Sequence, residues 1–318
     1  MPDVKTLPYR LVERLAEDSA GERERVIAAL MVPAASIAPK YFYDDLGCAL
    51  YGAICRLPEY YPTRTEAAIF REHRAEIAAA IGSGRQFVDL GAGDCCKALA
   101  WLPYVEPVRY IAVDIARPEI ERSLSKMSPD FPEVEMIGVI TDFARGLALQ
   151  DVLDARPVTF FYPGSSIGNF TPDEARQFLA TIRSHGGGLL IGVDAKKDAA
   201  MLAAAYDDPL GVTGAFNLNV LRHLNAHFGF DFRVDGFRHV GFYNEPEGRI
   251  EMHLESKHAQ DVHLGDRQRH FAPGERIHTE NSYKYRAPEF ERVLRAAGYT
   301  TIRHWSNLVE SFFVFYAQ

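Results

Sequence analysis

Residues 86–97, QFVDLGAGDCCK, decide the fold, because they join a short apolar strand to a helix through a glycine turn. The run QFVDL has the length and the apolar character of a buried strand. Gly91 and Gly93 allow backbone amides to come close to a ligand at the start of the following helix. Such a strand, turn and helix are typical of α/β proteins that bind a nucleotide or a nucleoside.

An acidic residue ends the second predicted strand. Asp114 closes VRYIAVD (108–114) and lies 23 residues after Gly91, where a carboxylate binds ribose hydroxyls in folds of this type. Cys96 stands where a dinucleotide-binding turn has a third small residue, which weakens the case for a pyrophosphate. The pattern favours a nucleoside ligand without phosphates and argues against a nicotinamide-dependent oxidoreductase.

Helical and strand patterns alternate from about residue 66 onward. A helix is predicted over 66–84, and Thr171 caps another that begins at Pro172. Further buried strands are predicted at 133–140, 158–163 and 188–194, and the chain ends with a helix and two strands at 287–299, 300–307 and 311–318. The alternation predicts an α/β fold with a doubly wound, mostly parallel Rossmann-like sheet that helices cover on both faces.

Two stretches fall outside this alternation. The first sixty or so residues look helical, and residues 199–286 begin helical and then change to strand alternation. We therefore assign 63–198 and 287–318 to the cofactor-binding sheet domain, and 1–62 and 199–286 to a second, smaller α+β lobe that binds the substrate. The crevice between two such units is the default place for a binding site.

Composition argues against several classes of protein. The 318 residues carry a formal net charge of −8 and no basic run, which disfavours nucleic-acid binding. No apolar stretch is long enough for a membrane span, and the N-terminus lacks the apolar segment of a secretion signal. The four cysteines show no metal or redox spacing, which fits a reducing cytoplasm. We expect a cytoplasmic, monomeric protein without a metal, a membrane or a nucleic-acid partner.

Two tyrosines lie side by side between two prolines in LPEYYPTRTE, residues 57–66. Pro62 is expected to hold Tyr61 in an extended conformation. Thr63 should open a helix, with Glu66 completing a capping box. Both rings would then project from a stiff segment, and on this stretch alone packing between two helices is the preferred interpretation.

Longer motifs in both parts of the chain resemble a known enzyme family. DLGAG at 89–93 is similar to the first motif of class I S-adenosylmethionine-dependent methyltransferases. Five further segments resemble the histidine-specific N-α-methyltransferases of ergothioneine biosynthesis: APKYFYDDLGCALYGAICRLPEYYPTRTE (38–66), GSSIGNFTP (164–172), AYDDPLGVTGAFNLNVL (205–221), RIEMHL (249–254) and TENSYKY (279–285). The resemblance implies a methyltransferase sheet, S-adenosylmethionine as the cofactor without a metal, and trimethylation of the α-amine of L-histidine to hercynine. A same-fold enzyme acting on another amino acid or amine stays open as an alternative.

The resemblance also implies which residues hold the cofactor. The acid that ends the second strand would bind the ribose, and the acid after the third strand would contact the adenine beside an aromatic ring. A lysine after the glycine turn matches a further cofactor contact. The implied cofactor-binding residues are Gly91, Gly93, Lys97, Asp114, Asp142 and Phe143. Without the family, an N-cap would be the preferred role of Asp142.

The loop SSIGNFTP follows the fourth predicted strand, at the carboxyl edge of the sheet where ligands bind in open α/β folds. The side-chain oxygen of Asn169 can hold an amine there, and Gly164 would permit close approach of the methylated nitrogen. From the residues alone, helix capping near Thr171 is an equal alternative for Asn169. In the resembling family the matching asparagine binds the substrate α-amine.

A strand period of two directs Glu280 and Ser282 to one face of HTENSYKY and Asn281 to the other. A carboxylate and a hydroxyl so placed can bind the two nitrogens of a neutral imidazole, one as an acceptor and one as a donor. Taken alone, a solvent-facing polar strand is the simpler interpretation. The resemblance assigns both residues to the imidazole and places Met252 beside it.

Three tyrosines complete the implied substrate site. The resemblance places Tyr60 against the imidazole, and Tyr43 and Tyr206 on the carboxylate. Neutral phenols would bind a carboxylate without adding a cation that repels the sulfonium, while Tyr61 is expected to serve packing. No residue is placed as an acid or base catalyst. We therefore expect in-line displacement by the neutral α-amine, with Asn169 and Tyr43 as positioning residues.

Overall fold

The computed structural model describes residues 8–14 and 19–318, and the fold below refers to that part of the chain. The strands are β1 Arg10–Glu13, β2 Gln86–Leu90, β3 Arg109–Asp114, β4 Glu135–Ile140, β5 Val158–Tyr162, β6 Gly188–Asp194, β7 Phe237–Asn244, β8 Arg249–Ser256, β9 Gln260–Leu264, β10 Arg267–Phe271, β11 Arg276–Tyr283, β12 Ile302–Ser306 and β13 Phe312–Ala317. The helices are α1 Ser19–Met31, α2 Asp45–Ile54, α3 Pro62–Glu72, α4 Arg74–Ile81, α5 Cys96–Leu99, α6 Leu102–Val105, α7 Arg117–Met127, α8 Pro172–Ser184, α9 Ala199–Ala204, α10 Val212–Phe228 and α11 Ala287–Ala296.

The large sheet has the order β1-β4-β3-β2-β5-β6-β13-β12. Its first six strands run parallel, whereas β13 runs antiparallel to β6 and β12 antiparallel to β13. Every residue of β2, β5 and β6 is buried, because hydrophobic clusters cover both faces of the sheet. The predicted doubly wound, mostly parallel sheet is confirmed.

A second core lies outside this sheet. It draws on residues 26–61 and 202–277, and it packs helices against the antiparallel sheet β11-β8-β7. This composition agrees with a second α+β lobe built from two distant parts of the chain. No helix in the described ranges has the length and apolarity needed to cross a bilayer.

One part of the predicted division is wrong. Residues 1–62 were assigned to the smaller lobe and interpreted as helical, but β1 pairs in parallel with β4 at the edge of the large sheet. Leu11 and Val12 pack against the clusters on opposite faces of that sheet. Alternate burial on two faces favours a strand over a helix here. Residues 1–7 and 15–18 of the same assignment lie outside the described part of the chain.

The segment with the two tyrosines also differs from expectation. Tyr61 is helical, with φ −67° and ψ −26°, and α3 begins at Pro62 without a side-chain cap. The buried hydroxyl of Tyr61 is hydrogen-bonded, so a tertiary contact overrides the restriction that a proline places on the preceding residue. The predicted capping box of Glu66 is therefore wrong, and the predicted single helix over 66–84 is broken at His73.

The predicted helix after the glycine turn is present but short. Cys95 has φ +57°, and α5 and α6 are single turns. Pro103 lacks the N–H that a continuous helix would need at that place, so the chain restarts instead. By contrast, the capping box at Thr171 is present, since the backbone N–H of Thr171 donates to Glu174 at 2.8 Å.

Candidate active site

Two adjoining cavities lie at the carboxyl ends of the parallel strands. The large cavity has a volume of about 840 Å³, and the small cavity one of about 50 Å³. They share the lining residues Tyr43, Tyr51, Gly164, Ser166 and Asn169. A group bound in one cavity therefore meets a group bound in the other at this shared wall.

All six residues predicted to bind the cofactor line the large cavity: Gly91, Gly93, Lys97, Asp114, Asp142 and Phe143. Gly91 and Gly93 have φ values of +69° and +51°, which favour glycine. The carboxylate of Asp114 accepts hydrogen bonds from the backbone N–H groups of Gly93 and Ala116, both at 2.9 Å. Asp114 thus braces the glycine turn from the end of β3.

Asp142 and Phe143 follow β4. The side chain of Asp142 makes no capping bond and instead accepts a hydrogen bond from Lys40 at 3.1 Å, so the N-cap interpretation is wrong. Lys40 also donates to Glu22 at 2.5 Å. The ring of Phe143 lies 3.7 Å from the place that a Cβ on Gly91 would occupy, which leaves an aromatic wall beside the glycine turn.

Asp89 belongs to the motif DLGAG, but no role was predicted for it from sequence. It lines the large cavity, and its carboxyl group accepts a hydrogen bond from the Tyr110 hydroxyl at 2.9 Å. Burial raises the pKa of Asp89 to about 7. Its place in DLGAG, at the end of a buried strand, was a signal that could have found it.

Glu66 is a second residue that was missed. Its side chain is only 1% exposed and accepts hydrogen bonds from the Gly164 backbone N–H at 2.7 Å and from Lys97 at 2.6 Å. Burial alone would lower the pKa of Lys97, but the Glu66 carboxylate outweighs it and raises that pKa. Glu66 thereby joins the glycine-turn side of the large cavity to the loop after β5.

Two features favour glycine at position 164. Its φ is +80°, and an added Cβ would lie 3.0 Å from the Lys97 ammonium. The same loop contains Asn169, at the end of a short 3-10 helix over Ser166–Asn169. Both residues face the two cavities at their junction.

All eight residues predicted to bind the substrate line the small cavity: Tyr43, Tyr60, Gly164, Asn169, Tyr206, Met252, Glu280 and Ser282. The structure brings together side chains from residues 43 to 282. Burial raises the pKa of Tyr43 and of Tyr60, so both phenols keep their protons and can donate hydrogen bonds.

Glu280 and Ser282 point to the same cavity, as the strand period predicted. A register irregularity lies just before them, between His278 and Glu280, and Glu280 pairs with Met252 across the sheet. Ser282 is 3% exposed, so the interpretation of a solvent-facing strand is wrong. Burial raises the pKa of Glu280 to about 7, although the positive charge of Lys284 opposes that rise.

Behind the small cavity lies a hydrogen-bonded group that the sequence interpretation missed. The hydroxyl oxygens of Tyr206 and Ser282 are 2.8 Å apart. Lys284 donates to both of them and to Asp194. Asp194 also accepts from Tyr61 at 2.7 Å. Tyr61 therefore does more than pack, because it takes part in this polar group.

One group in the described residues has metal-ligand geometry: Glu251, His253 and His278. The carboxylate of Glu251 already accepts hydrogen bonds from Arg249 and Asn244, both at 2.8 Å. A guanidinium on the carboxylate opposes a second cation at the same place. This cluster is distinct from the two cavities, since none of its three residues lines either one.

Comparison with known proteins shows the family to which the chain belongs. A family model described as histidine-specific methyltransferase, SAM-dependent, matches residues 22–318. The histidine N-alpha-methyltransferase of Mycolicibacterium smegmatis is 39% identical over 308 residues, which are 93% of this chain and 95% of that protein. The protein of the same name from Mycobacterium tuberculosis is 37% identical over the same shares of both chains.

A fungal relative is similar over part of its length. Ergothioneine biosynthesis protein 1 of Neurospora crassa is 32% identical over 83% of this chain, which corresponds to 31% of that longer protein. The family model covers most of the chain, and the two mycobacterial relatives extend over nearly the whole of it. The chain belongs to the family of histidine-specific, S-adenosylmethionine-dependent methyltransferases.

Proposed function

We propose that this enzyme transfers methyl groups from S-adenosylmethionine to the α-amine of L-histidine and carries the product to the trimethylated betaine, hercynine. One observation carries the proposal: the eight predicted substrate residues line the small cavity, and three of them also line the large one. Relatives at 37–39% identity bear the name of this activity.

The residues of the large cavity fit S-adenosylmethionine, which supplies an electrophilic methyl group on a sulfonium. Asp114 ends β3, where a carboxylate binds ribose hydroxyls, and its hydrogen bond to Gly93 N holds the turn in place. Phe143 offers a flat apolar wall, and Lys97 offers an ammonium beside the shared loop. The cavity of about 840 Å³ is large enough for a drug-sized ligand.

The small cavity fits the substrate end of the reaction. Glu280 would accept the N–H of an imidazole, and Ser282 would donate to the other nitrogen. Its narrow volume of about 50 Å³ favours a small ring. Tyr43 and Asn169 lie at the wall shared with the large cavity, where the α-amine would face the methyl donor.

The chemistry needs a neutral amine. A free α-amino group has a pKa of about 8, and burial beside a positive charge lowers that pKa because both effects disfavour the protonated form. Rate enhancement then comes from positioning, with the reacting atoms held about 3–3.5 Å apart. Since the ring and the carboxylate are bound at separate places, the amine can rotate between successive methylations while both ends stay bound.

Mass spectrometry of the purified protein with S-adenosylmethionine and each of the twenty amino acids tests the proposal. We expect histidine to gain one, two and finally three methyl groups, while the other amino acids stay unmodified. Methylation of a different amino acid with histidine untouched would contradict the assigned substrate and support the alternative amine.

Location and assembly are part of the proposal. All four cysteines are free, which supports a reducing compartment such as the cytoplasm. We also propose a monomer, because the residues predicted for the cofactor and for the substrate come together within one chain and the site needs no residue from a second copy. Light scattering coupled to gel filtration would give the mass of one chain, and a stable dimer would contradict this.

A further inference from the structure

A fully buried ammonium lies directly behind the wall of the small cavity. Lys284 and Asp194 both have side chains that are 0% exposed, and their charged atoms are 2.8 Å apart. Lys284 comes just after β11 and Asp194 ends β6, so the pair joins the smaller lobe to the large sheet. Neither residue lines either cavity.

Each of the three N–H groups of the Lys284 ammonium has an acceptor in the structure. A lysine ammonium has three donors and no acceptor. Its three partners here are Asp194 Oδ2 at 2.8 Å, Ser282 Oγ at 2.8 Å and Tyr206 Oη at 3.1 Å. Burial alone would lower the pKa of Lys284, but the Asp194 carboxylate raises it. The amine therefore stays protonated, and all three donors are used.

This arrangement restricts the two hydroxyl groups. Because Ser282 and Tyr206 each accept a proton from Lys284, neither O–H can point back at the ammonium. Each must point at the other oxygen, 2.8 Å away, or into the small cavity that both residues line. One hydrogen bond between the hydroxyls leaves one O–H for a ligand, and a ligand with two acceptors can take both.

We propose that Lys284 is a positioning residue that turns the hydroxyls of Ser282 and Tyr206 toward the substrate and so selects a ligand with an unprotonated ring nitrogen and a carboxylate. The inference rests on the proposed function and deepens it. Glu280 has no hydroxyl proton to give when ionised, so Glu280, Ser282 and Tyr206 together offer one acceptor and up to two donors. A ring that has an N–H but no acceptor nitrogen leaves a donor unpaired, which costs binding energy.

The placement of the charge also suits a sulfonium-dependent reaction. The ammonium is 4.8 Å from the centre of the Tyr206 ring and is paired with Asp194. It thus strengthens two neutral donors, since hydrogen bonds in a chain polarise one another, without presenting a cation to the methyl donor. This refines the expectation that phenols replace a cation in the site, because a cation is present one layer behind them.

A double-mutant cycle tests the inference, using the full-length protein and S-adenosylhomocysteine as the cofactor stand-in. Calorimetry gives the Kd of histidine for the wild type, Ser282→Ala, Lys284→Met and the double variant. If Lys284 acts through the hydroxyls, each single change weakens histidine binding roughly tenfold or more. The double variant should then be weaker than the poorer single variant by at most about threefold. If the fold-changes in the histidine Kd of the two single variants multiplied in the double variant, the inference would be overturned.

Two controls separate positioning from a general structural role. Lys196→Met removes a neighbouring ammonium that is paired with Glu289 at 3.1 Å and lines neither cavity, so its histidine Kd should match the wild type. The Kd of S-adenosylhomocysteine should change less than about threefold in Lys284→Met. An equal loss of both ligands would overturn the inference, because it would indicate general damage to the fold.

A second background keeps the test usable if Lys284→Met does not fold. Asp194→Asn/Lys284→Met removes the buried carboxylate together with its Lys284 partner, so no half of this pair is left alone. Lys197, which also pairs with Asp194, is unchanged, and Ser282→Ala can be measured against this background. There Ser282→Ala should cost less histidine affinity than it does in the wild type. An undiminished cost would overturn the inference. Wild-type protein that binds S-adenosylhomocysteine but not histidine would contradict the proposed function itself, and this inference with it.

Discussion

The phenol of Tyr61 donates a hydrogen bond of 2.7 Å to the buried carboxylate of Asp194. Its neighbour Tyr60 instead lines the small cavity, where its ring lies edge-on to Tyr206 with 6.0 Å between ring centres. Lys197 also donates to the Tyr61 hydroxyl at 2.6 Å. The two adjacent phenols therefore have different tasks: one anchors the segment to the end of β6, and the other faces the small cavity that we propose for the substrate.

Replacing each phenol by phenylalanine separates these tasks. Tyr61→Phe removes one donor from the fully buried Asp194, and we expect the free energy of unfolding to fall by about 1–3 kcal/mol. Tyr60→Phe should leave stability nearly unchanged and weaken histidine binding. Chemical denaturation and calorimetry measure the two effects, and a reversed pattern would contradict the assignment of Tyr60 to the substrate.

Glu280→Ala and Asp114→Ala should affect different ligands. The first change removes the acceptor proposed for the imidazole N–H, so histidine binding should weaken roughly tenfold or more while the affinity for S-adenosylhomocysteine is kept. The second removes the proposed ribose contact and the brace on Gly93 N, so cofactor affinity should fall instead. Calorimetry with each ligand checks both variants, and equal loss of both ligands in Glu280→Ala would contradict its role.

Histidine affinity should depend on pH through Glu280. Burial raises the pKa of Glu280 to about 7, so the carboxyl group of the ligand-free protein is protonated below that pH. The proposed acceptor of an N–H is the carboxylate. Affinity measured with S-adenosylhomocysteine bound should therefore rise as pH increases through about 7 and then level off.

Stability of the ligand-free protein should show the opposite trend. A raised carboxyl pKa means that this contribution to stability is fully present below the ordinary value of 4.5 and is lost as pH rises through about 7. Glu280→Gln cannot titrate at this position. In the stability measurement, comparison with this variant isolates the contribution of Glu280, and in the affinity measurement it separates that contribution from the titration of histidine itself. Identical pH profiles for the two proteins would contradict the prediction.

Much of the sheet and the membership of the two cavities were predictable from sequence. Strands β2 and β6 agree with prediction at both ends, because parallel strands buried on both faces read as continuous apolar runs. Residues such as Asp114 and Asn169 come together because the carboxyl ends of parallel strands meet at one edge of the sheet. The binding roles proposed for individual residues could not be predicted from spacing alone. They depend on the motifs that resemble the methyltransferase family.

The contacts that support the site were not predictable. A lysine in the polar run TENSYKY is expected to be solvent-exposed, and the partner of Lys284, Asp194, is 90 residues away in another part of the fold. Glu66 matched a local capping pattern, but its carboxylate instead accepts a long-range hydrogen bond from the Gly164 backbone N–H. Strand β1 has four residues and lies at a sheet edge, which is too little for a periodic signal.

Gly192 offers a test of the brace that Glu66 forms. A Cβ added at Gly192 would lie 2.0 Å from Glu66 Oε1, so Gly192→Ala must displace that carboxylate from the Gly164 N–H and from Lys97. We expect a destabilisation of about 1–3 kcal/mol, as for other overpacked buried sites, together with weaker binding of S-adenosylhomocysteine because Lys97 loses its partner.

Gly214→Ala is the matched control for that change. Gly214 lies in α10, and an added Cβ would meet no heavy atom closer than His239 Cβ at 3.4 Å. Alanine is favoured over glycine inside a helix by roughly 0.5–1 kcal/mol, so stability should be kept or rise slightly and cofactor affinity should be unchanged. Thermal unfolding and calorimetry compare the two variants. If Gly192→Ala behaved like Gly214→Ala in both measurements, Glu66 would not be held against β6 and could not brace the loop at Gly164.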